Sequence, residues 1–252
     1  MYKINVLISK PTIIASENRT TYRGEDPKLF GGGFQGDMLF YDNHNSMKGT
    51  RGVAVYGSNY RWPNNVIPYD ISAITTMQIL MYAVGTPISG STSRYACIYF
   101  RPRRSDDQIF VKIQYGNGCS AHVGYMNYYQ SVMTLEQNGC FNPGNIQHEL
   151  MHVIGFYHEQ SRPDRDNYVQ VNWENIEESM YIGFDKYAWS SSVYDQNTPY
   201  DYASIMHYEA YTFSKNGKPT MIPRQTGVIL RTNNVLSPTD VFEVRQLYSC
   251  GI

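Results

Sequence analysis

Apolar positions along the chain predict its regular elements unevenly. Short apolar or alternating runs predict strands over residues 66–69, 96–100, 109–113 and 120–125. Apolar side chains at helical spacing predict helices over residues 71–84, 144–154 and 239–248. Between the last two helices lies a long region rich in turn residues, which indicates few regular elements. A sheet with helices, followed by an irregular half, indicates an α+β domain with a cleft between the halves.

Residues 1–51 differ in composition and periodicity from the sequence that follows. They are rich in Gly, Asn, Asp and Lys, include Gly31-Gly32-Gly33 and show little sustained periodicity. Such a stretch lies on the surface of another folded unit more readily than it folds alone. It ends near Lys48 and Arg51, either of which suits a trypsin-like protease in an exposed loop. We therefore predict a boundary between residues 1–51 and 52–252, with an ordinary terminal tail as the alternative.

The composition is that of a soluble globular protein, with 42% hydrophobic and 17% charged residues. A net charge of -1 and the lack of a basic block argue against nucleic acid or an anionic membrane as the main partner. No apolar run approaches the length that spans a bilayer. Lys10 and Pro11 interrupt the N-terminal apolar patch, which makes it a poor signal peptide, so a secreted protein would lack its signal here. Asn18 begins a glycosylation sequon, a triplet that also arises often by chance.

The cysteine pattern bears on the compartment. None of the four cysteines forms a C-x-x-C pair, which argues against a cysteine-bound zinc or a thioredoxin-like motif. An even number of widely spaced cysteines suits two disulfides and an oxidising compartment, and four buried thiols are the alternative. Four cysteines allow three pairings, and the sequence alone does not choose between them.

The candidate chemistry is concentrated in H-E-L-M-H-V-I-G-F-Y-H over residues 148–158. His148 and His152 are four residues apart, so a helix presents both imidazoles on one face, where they can bind one Zn²⁺. Gly155 can adopt a positive φ, end the helix and turn the chain back, which lets His158 reach the same metal. Three imidazoles leave a coordination position for water, and this is the arrangement of a catalytic zinc.

Glu149 follows the first histidine and can point past it to a water on the metal. Zinc lowers the pKa of that water towards about 7, and a carboxylate can take its remaining proton and later hand it to the leaving amine. A lone H-E-x-x-H pattern also arises by chance on surface helices, where the glutamate would be exposed. The glycine and the third histidine at fixed offsets favour the metal site over that alternative.

The extended zinc motif with a later methionine turn resembles the metzincin metalloproteases, and within them the astacin family. The segments that carry the resemblance are H-E-Q-S-R-P-D-R-D over 158–166, S-I-M-H-Y over 204–208 and R-W-P-N-N-V-I-P-Y over 61–69. The resemblance implies the metzincin fold, with a twisted mixed sheet and helices above the cleft and a largely irregular subdomain below. It also implies a zinc endopeptidase that acts on polypeptide substrates.

The resemblance implies further roles. Met206 is expected to form an apolar floor beneath the imidazoles, and Tyr208 to bind zinc weakly and then donate a hydrogen bond to the oxyanion. Ordinary core packing is the alternative for both, and His207 is expected to be structural. The implied disulfides are Cys97–Cys250 and Cys119–Cys140. The strand edge that is expected to pair with an extended peptide substrate comprises Ser120, Ala121, His122, Val123 and Gly124.

Phe34-Gln35-Gly36-Asp37-Met38 resembles the propeptide motif of astacin zymogens, whose usual form has Glu at the second position and Ile at the last. The aspartate is kept, and a carboxylate is a good zinc ligand, so Asp37 is expected to occupy the position that catalysis needs for water. Tethering gives this segment a high effective concentration at the cleft. The alternative is a turn aspartate beside a glycine. With this role, residues 1–51 are an inhibitory propeptide that lies across the cleft of a catalytic domain, 52–252.

Activation is expected to involve a second buried carboxylate. Cleavage after Arg51 by a trypsin-like protease would free the amine of Gly52. The resemblance implies that this amine folds inward to Glu159, because a buried ammonium must be paired with a charge. Activation would then need both the loss of Asp37 from zinc and a rearrangement around Glu159.

These features favour a secreted, zymogen-activated endopeptidase, with a monomer as the expected state, over two alternatives. A non-catalytic module with a structural zinc would need neither Glu149 nor Tyr208. A zinc amidase for small molecules would need neither an inhibitory propeptide nor a peptide-pairing edge. The resemblance implies that the stretch over residues 231–236 contributes to the pocket beyond the scissile bond, but its sequence does not predict whether that pocket prefers acidic or small side chains.

Overall fold

The computed structural model describes most of the chain after residue 96 and several shorter segments before it. The described ranges are 33–39, 54–55, 57–74, 97–187, 193–194 and 196–250. Asn18, the cleavage site at Arg51 and Gly52, and residues 75–84 of the predicted helix over 71–84 lie outside them.

A six-stranded mixed sheet forms the upper half of the molecule. All strands in the described part of the chain, numbered in chain order, are β1 (Met38–Leu39), β2 (Ala54–Val55), β3 (Val66–Asp70), β4 (Tyr99–Pro102), β5 (Val111–Tyr115), β6 (Cys119–His122), β7 (Ser131–Leu135), β8 (Val169–Val171), β9 (Val193–Tyr194) and β10 (Met221–Pro223). The sheet has the order β1-β6-β7-β5-β3-β4, and β6 runs antiparallel to β7 while the other neighbours are parallel. The remaining strands pair as β2 with β9 and β8 with β10.

Two α-helices have clear sequence signals at their starts. In α1 (Pro143–Val153), the side chain of Asn142 accepts a hydrogen bond from the backbone N–H of Asn145 at 2.9 Å. In α2 (Pro238–Leu247), Ser237 and Asp240 form a capping box. Both helices also have proline at their first position, where its missing N–H costs nothing. The predicted helices over 144–154 and 239–248 are confirmed to within one residue at each end.

The core of the upper half lies between the sheet and α1. Met133 and Leu135 alternate with less buried neighbours on β7, and Ile113 faces the same way from β5. Ile146 and Leu150, four residues apart on α1, belong to the same apolar cluster. This packing fixes α1, and the zinc motif on it, against the sheet.

The predicted strands are confirmed at 66–69, 109–113 and 120–125, with bounds that shift by up to three residues. Of the strand expected over 96–100, Ala96 lies outside the described residues and β4 begins at Tyr99. Cys97, just before it, forms a disulfide with Cys250. The second disulfide joins Cys119 to Cys140, so the pairing is the one that the resemblance implies. Strand β7 is missing from the sequence prediction.

In the lower half, the described residues between 159 and 237 are largely irregular, as expected. Its 3₁₀ helices are Glu159–Ser161, Arg165–Asn167, Trp173–Asn175 and Glu178–Phe184. An aromatic cluster that includes Phe184, Tyr200, Tyr208 and Phe213 forms its apolar centre. Among the described residues, no helix combines the length and apolar character needed to cross a membrane.

Candidate metal centre

Helix α1 contributes two imidazoles and a carboxylate to one site. The ring centroids of His148 and His152 are 4.8 Å apart, as their spacing on one helix face requires. Glu149 and His152 are fully buried, and His148 is nearly so. The helix is buried from Gly144 to Val153, so these polar side chains face protein on every side.

The chain turns back at Gly155, as the sequence predicts. Gly155 has a φ of 107°, and a Cβ there would lie 2.6 Å from Cγ2 of Val55. Trp62 stabilises the same turn, because its indole Nε1 donates a hydrogen bond to the carbonyl of Val153 at 2.8 Å. The turn brings the ring of His158 to 4.9 Å from that of His152.

Asp37 faces all three imidazoles from the N-terminal segment. Its carboxylate oxygens lie 3.1 Å from Nε2 of His148, 3.2 Å from Nε2 of His158 and 3.5 Å from Nε2 of His152. All four side chains are buried, and one ligand atom from each lies within 4.8 Å of the others. Gly36, with a φ of 99°, shapes the tight turn that presents the aspartate. The structure therefore brings together the four side chains that the sequence analysis selected as metal ligands.

Each imidazole has an acceptor at its outer nitrogen, Nδ1. The three pairs are His148 with the carbonyl of Ile205 at 2.8 Å, His152 with the carbonyl of Phe156 at 2.7 Å and His158 with the side-chain oxygen of Gln35 at 3.0 Å. A proton on each Nδ1 leaves a lone pair on each Nε2, and this is the form in which imidazole binds a metal. We infer the tautomers from these hydrogen bonds.

The spacing of the cluster fits a tetrahedral zinc ion. Bonds of about 2.0 to 2.1 Å at tetrahedral angles place two nitrogen ligands roughly 3.3 Å apart, and the Nε2 atoms of His148 and His158 are 3.3 Å apart. Within the described residues, Nε2 of His152 and Oδ1 of Asp37 are buried without a hydrogen-bond partner, and a cation between them would satisfy both. Imidazole and carboxylate are both zinc ligands, so the donor set fits as well.

Two titratable groups near the cluster have clear charge states. Burial by itself would raise the pKa of Asp37, but positive charge beside His158, from a proton or a bound cation, and the surrounding imidazoles hold that pKa well below its usual range. Burial lowers the pKa of His207 to about 4, so this imidazole is neutral. His207 Nδ1 donates to the carbonyl of Tyr208 at 2.6 Å, and the Tyr200 hydroxyl lies 2.7 Å from its Nε2. These contacts agree with a structural role for His207.

The methionine turn is anchored to the N-terminus of α2. Asp240 accepts hydrogen bonds from the hydroxyl of Ser204 at 2.6 Å and from the backbone N–H of Ile205 at 2.9 Å. Met206 is buried in the same apolar cluster as α1, and its carbonyl accepts a hydrogen bond from the N–H of Glu159 at 3.0 Å. One turn therefore supports His148, through Ile205, and the chain just after the third histidine.

Tyr208 contacts both the cluster and the N-terminal segment. Its ring centroid is 4.8 Å from that of His158, and the side chain is 7% exposed. Its hydroxyl donates a hydrogen bond to the backbone carbonyl of Gln35. The hydroxyl is thus engaged by a peptide carbonyl that lies against the histidines.

Glu159 lies in a buried charged network behind the third histidine. Its Oε1 accepts hydrogen bonds from the N–H of Asp201 at 2.8 Å and from Nη1 of Arg162 at 3.3 Å. Arg162 also forms a forked contact with the carboxylate of Asp164, at 2.9 and 3.0 Å. Burial raises the pKa of Glu159 well above its usual range, although the charge of Arg162 opposes the shift. The expected partner of Glu159 after activation, the amine of Gly52, lies outside the described residues.

Strand β1 covers the outer edge of β6, at the position expected for a peptide substrate. The strands are parallel, with Met38 opposite Ala121. The N–H of Ala121 donates to the carbonyl of Asp37 at 2.9 Å, and the N–H of Val123 donates to the carbonyl of Leu39 at 3.3 Å. The backbone groups of the predicted edge therefore recognise a segment of this chain.

Sequence reasoning missed the positions of Gln35 and Asp240 at the centre. The sequence marks Gln35 only as a departure from the usual glutamate of the propeptide motif. Its contact with His158 could not be predicted, because the two residues are 123 positions apart in the chain. The signal at Asp240 is the capping box with Ser237, which the sequence does contain. Its bonds to the methionine turn depend on tertiary structure and have no local signal.

Comparison with known proteins identifies a matching family model and several similar sequences. A family model described as Astacin, a peptidase family, matches residues 54–249. Zinc metalloproteinase nas-15 of Caenorhabditis elegans is 40% identical over 194 residues, which cover 76% of this chain and 33% of that protein. Seminal metalloprotease 1 of Drosophila melanogaster is 32% identical over 238 residues, which cover 90% of this chain and 90% of that protein.

A solved structure gives the same result for the fold. High choriolytic enzyme 1, a hatching enzyme zinc-protease from Oryzias latipes, is similar with a TM-score of 0.65 and 32% identity, over 84% of this chain and 98% of that one. The chain spans only 33% to 49% of the length of the first four curated relatives that it matches. The comparisons therefore bear on the region described above rather than on the whole of those longer proteins.

Proposed function

The chain belongs to the astacin family of peptidases, and we propose that it is a zinc endopeptidase held latent by its own N-terminal segment. The observation that carries the proposal is the convergence of His148, His152 and His158 on one point, faced by the carboxylate of Asp37. Glu149, next to the first of these histidines on α1, supplies the base that peptide hydrolysis needs.

The chemistry is divided between the metal and two side chains. The three imidazoles would hold zinc, which when bound polarises a carbonyl and acidifies water. Glu149 takes the proton of the attacking water and passes it to the leaving amine. Tyr208 donates a hydrogen bond to the carbonyl oxygen as negative charge develops on it. The contact between the Tyr208 hydroxyl and the carbonyl of Gln35 supports this role, because that carbonyl belongs to a peptide lying against the histidines.

We assign polypeptides as the substrates, bound as an extended strand along β6. A strand edge offers N–H and C=O groups that recognise any peptide backbone. The pairing of β1 with Ala121 and Val123 supports the assignment, since these groups already hold a peptide segment.

Residues 1–51 are proposed as the inhibitory propeptide and residues 52–252 as the catalytic domain. With zinc bound, Asp37 would hold the coordination position that water needs, and β1 covers the strand edge that a substrate needs. The carbonyl of Gln35 engages the Tyr208 hydroxyl. One segment would therefore block three requirements of catalysis.

Activation is proposed to follow cleavage after Arg51 by a trypsin-like protease. The new amine of Gly52 would pair with Glu159, whose buried carboxylate now contacts Arg162. The two disulfides support a secreted protein, because such bonds persist in oxidising compartments. We further propose that the active enzyme is a monomer.

Asp37→Ala tests the proposal. Uncleaved wild-type protein should be silent on casein, whereas uncleaved Asp37→Ala should cleave casein and lose that activity with a chelator. Adding Glu149→Ala should lower the activity about 10²–10⁴-fold, since it removes the general base. Asp106→Ala changes an exposed carboxylate after β4 and should stay latent.

The outcomes separate the parts of the proposal. If Asp37→Ala were folded and silent before trypsin treatment but active afterwards, the latency role of Asp37 would be wrong. If it were silent both before and after, with zinc bound, the endopeptidase itself would be wrong.

A further inference from the structure

The three histidines differ in where their outer hydrogen-bond partners come from. His148 and His152 donate to the backbone carbonyls of Ile205 and Phe156, both within the proposed catalytic domain. His158 instead faces the side-chain oxygen of Gln35, which belongs to the proposed propeptide. Cleavage and release of that segment would therefore remove this partner from one of the three histidines only.

The Gln35 side chain is buried in the site, and both its amide nitrogen and its amide oxygen have hydrogen-bond partners. The residue is 2% exposed and has a φ of 54°, a conformation that few non-glycine residues adopt. Its amide nitrogen donates to the hydroxyl of Ser161 at 2.8 Å and approaches the carbonyl of Asp185 at 3.5 Å. Its oxygen faces two donors, Nδ1 of His158 at 3.0 Å and the hydroxyl of Tyr187 at 3.4 Å. The amide therefore has acceptors at its nitrogen and donors at its oxygen, which fixes its orientation.

An acceptor at the outer nitrogen of a histidine ligand fixes the tautomer and the ring orientation and makes the ligand more basic. Loss of such an acceptor typically weakens metal binding by about 10- to 100-fold. We propose that Gln35 is a positioning residue for the third zinc ligand, so that the propeptide strengthens zinc binding through His158 as well as blocking the site through Asp37. This inference rests on the proposed function, because it assumes that the cluster holds zinc and that residues 1–51 are removable.

The test measures the zinc affinity of the uncleaved chain by competition with a chelator. Gln35→Leu keeps the size of the side chain and removes the acceptor, so it should weaken zinc binding about 10- to 100-fold relative to wild type. Gln35→Glu restores the usual residue of the family motif and an acceptor for His158, so it should bind zinc within about threefold of wild type or more tightly. Ser161→Ala removes the partner of the amide nitrogen but leaves the acceptor, so it is the matched control and should also stay within that range.

A second readout follows the ligand itself. With Co²⁺ in place of zinc, Gln35→Leu should change the visible absorption of the bound ion, because His158 loses its fixed orientation, whereas Ser161→Ala should leave the spectrum unchanged. Gln35→Leu should remain inactive before cleavage, because the variant retains Asp37 and the propeptide should therefore still block the site.

Equal zinc affinity and equal Co²⁺ spectra in wild type and Gln35→Leu would overturn the inference. Activity of uncleaved Gln35→Leu would overturn it too, since Gln35 would then dock the propeptide rather than position the ligand. Both proteins in each comparison retain Asp37, so the result is independent of whether Asp37→Ala relieves latency. Failure of this inference and failure of the proposed latency are therefore distinguishable.

Discussion

The two halves of the molecule are stabilised by different kinds of interaction. The upper half buries apolar side chains between a sheet and α1, as Ile113 and Ile146 illustrate. The lower half has short 3₁₀ helices, an aromatic cluster and a buried charged network around Arg162. Apolar packing tolerates small changes of shape, whereas a buried charge network fails when one partner is removed.

The candidate metal centre depends on both kinds of interaction. His148 and His152 take their positions from the packed helix, whereas His158 lies at the start of the irregular half. The outer partner of His148 belongs to the methionine turn, which Asp240 anchors through hydrogen bonds. The difference between the halves therefore predicts where substitutions should be most damaging.

The largest effect on stability is expected from Arg162→Met. This change leaves the buried Glu159 carboxyl, the Asp164 carboxylate and the carbonyl of Thr198 without their donor, and should lower the free energy of unfolding by about 3–5 kcal/mol. Arg162→Lys keeps the charge but loses the forked contact with Asp164, and should cost less. Denaturant unfolding of both variants measures the difference; a loss below about 1 kcal/mol for Arg162→Met would remove the proposed contrast between the halves.

The next effect is a dependence of stability on pH that arises from Glu243. Burial raises the pKa of this carboxyl from 4.5 to about 8, so the folded state keeps a proton that the unfolded chain has released. Stability should therefore fall as pH rises from about 4.5 to 8, by up to about 1.4 kcal/mol per pH unit from this group. Glu243→Gln removes the proton exchange, so its stability relative to wild type should increase between pH 6 and pH 7. An unchanged difference between the two proteins at these pH values would contradict the assignment.

A smaller effect is expected in the apolar half. Ile113 is 3% exposed and packs in the core beneath the sheet. Ile113→Val removes one methylene group and should lower the free energy of unfolding by about 0.5–1.5 kcal/mol. Unfolding curves should show this loss with little change in zinc content. A loss as large as that of Arg162→Met would mean that the two halves respond alike.

The smallest effect is expected from an ion pair at the surface of the lower half. Lys186 contacts Asp166, and their side chains are 37% and 53% exposed. Because water screens such a pair, Lys186→Met should change the free energy of unfolding by no more than about 1 kcal/mol. The comparison with Arg162→Met separates burial from charge, since both changes remove a cation from the same half.

The sequence predicts the upper half better than the lower one for a physical reason. The spacing of Ile146 and Leu150 marks the buried face of α1, and the cap at Asn142 marks its start. These signals lie within a few residues of each other, so they can be recognised without tertiary contacts. Strand β7 was missed because its polarity does not follow its burial: the inward position Ser131 is polar and the outward position Val132 is apolar.

Local sequence patterns likewise predict only part of the candidate metal centre. Two ligands and the turn at Gly155 follow from the spacing of residues 148–158, because helix geometry determines them. The contacts of Gln35 with His158 and of Asp240 with Ile205 join residues that are 123 and 35 positions apart. No local pattern encodes such contacts, so the sequence indicates the chemistry of the centre but not the groups that orient it.

Anomalous diffraction at the zinc edge from crystals of the uncleaved protein tests the central claim most directly. The predicted result is one zinc ion per chain, bound by Nε2 of His148, His152 and His158 at about 2.0–2.1 Å and by the carboxylate of Asp37 at about 2.0–2.2 Å. An anomalous peak elsewhere, or none in zinc-saturated crystals, would contradict the claim. So would a zinc ion at this site with His158 turned away from it.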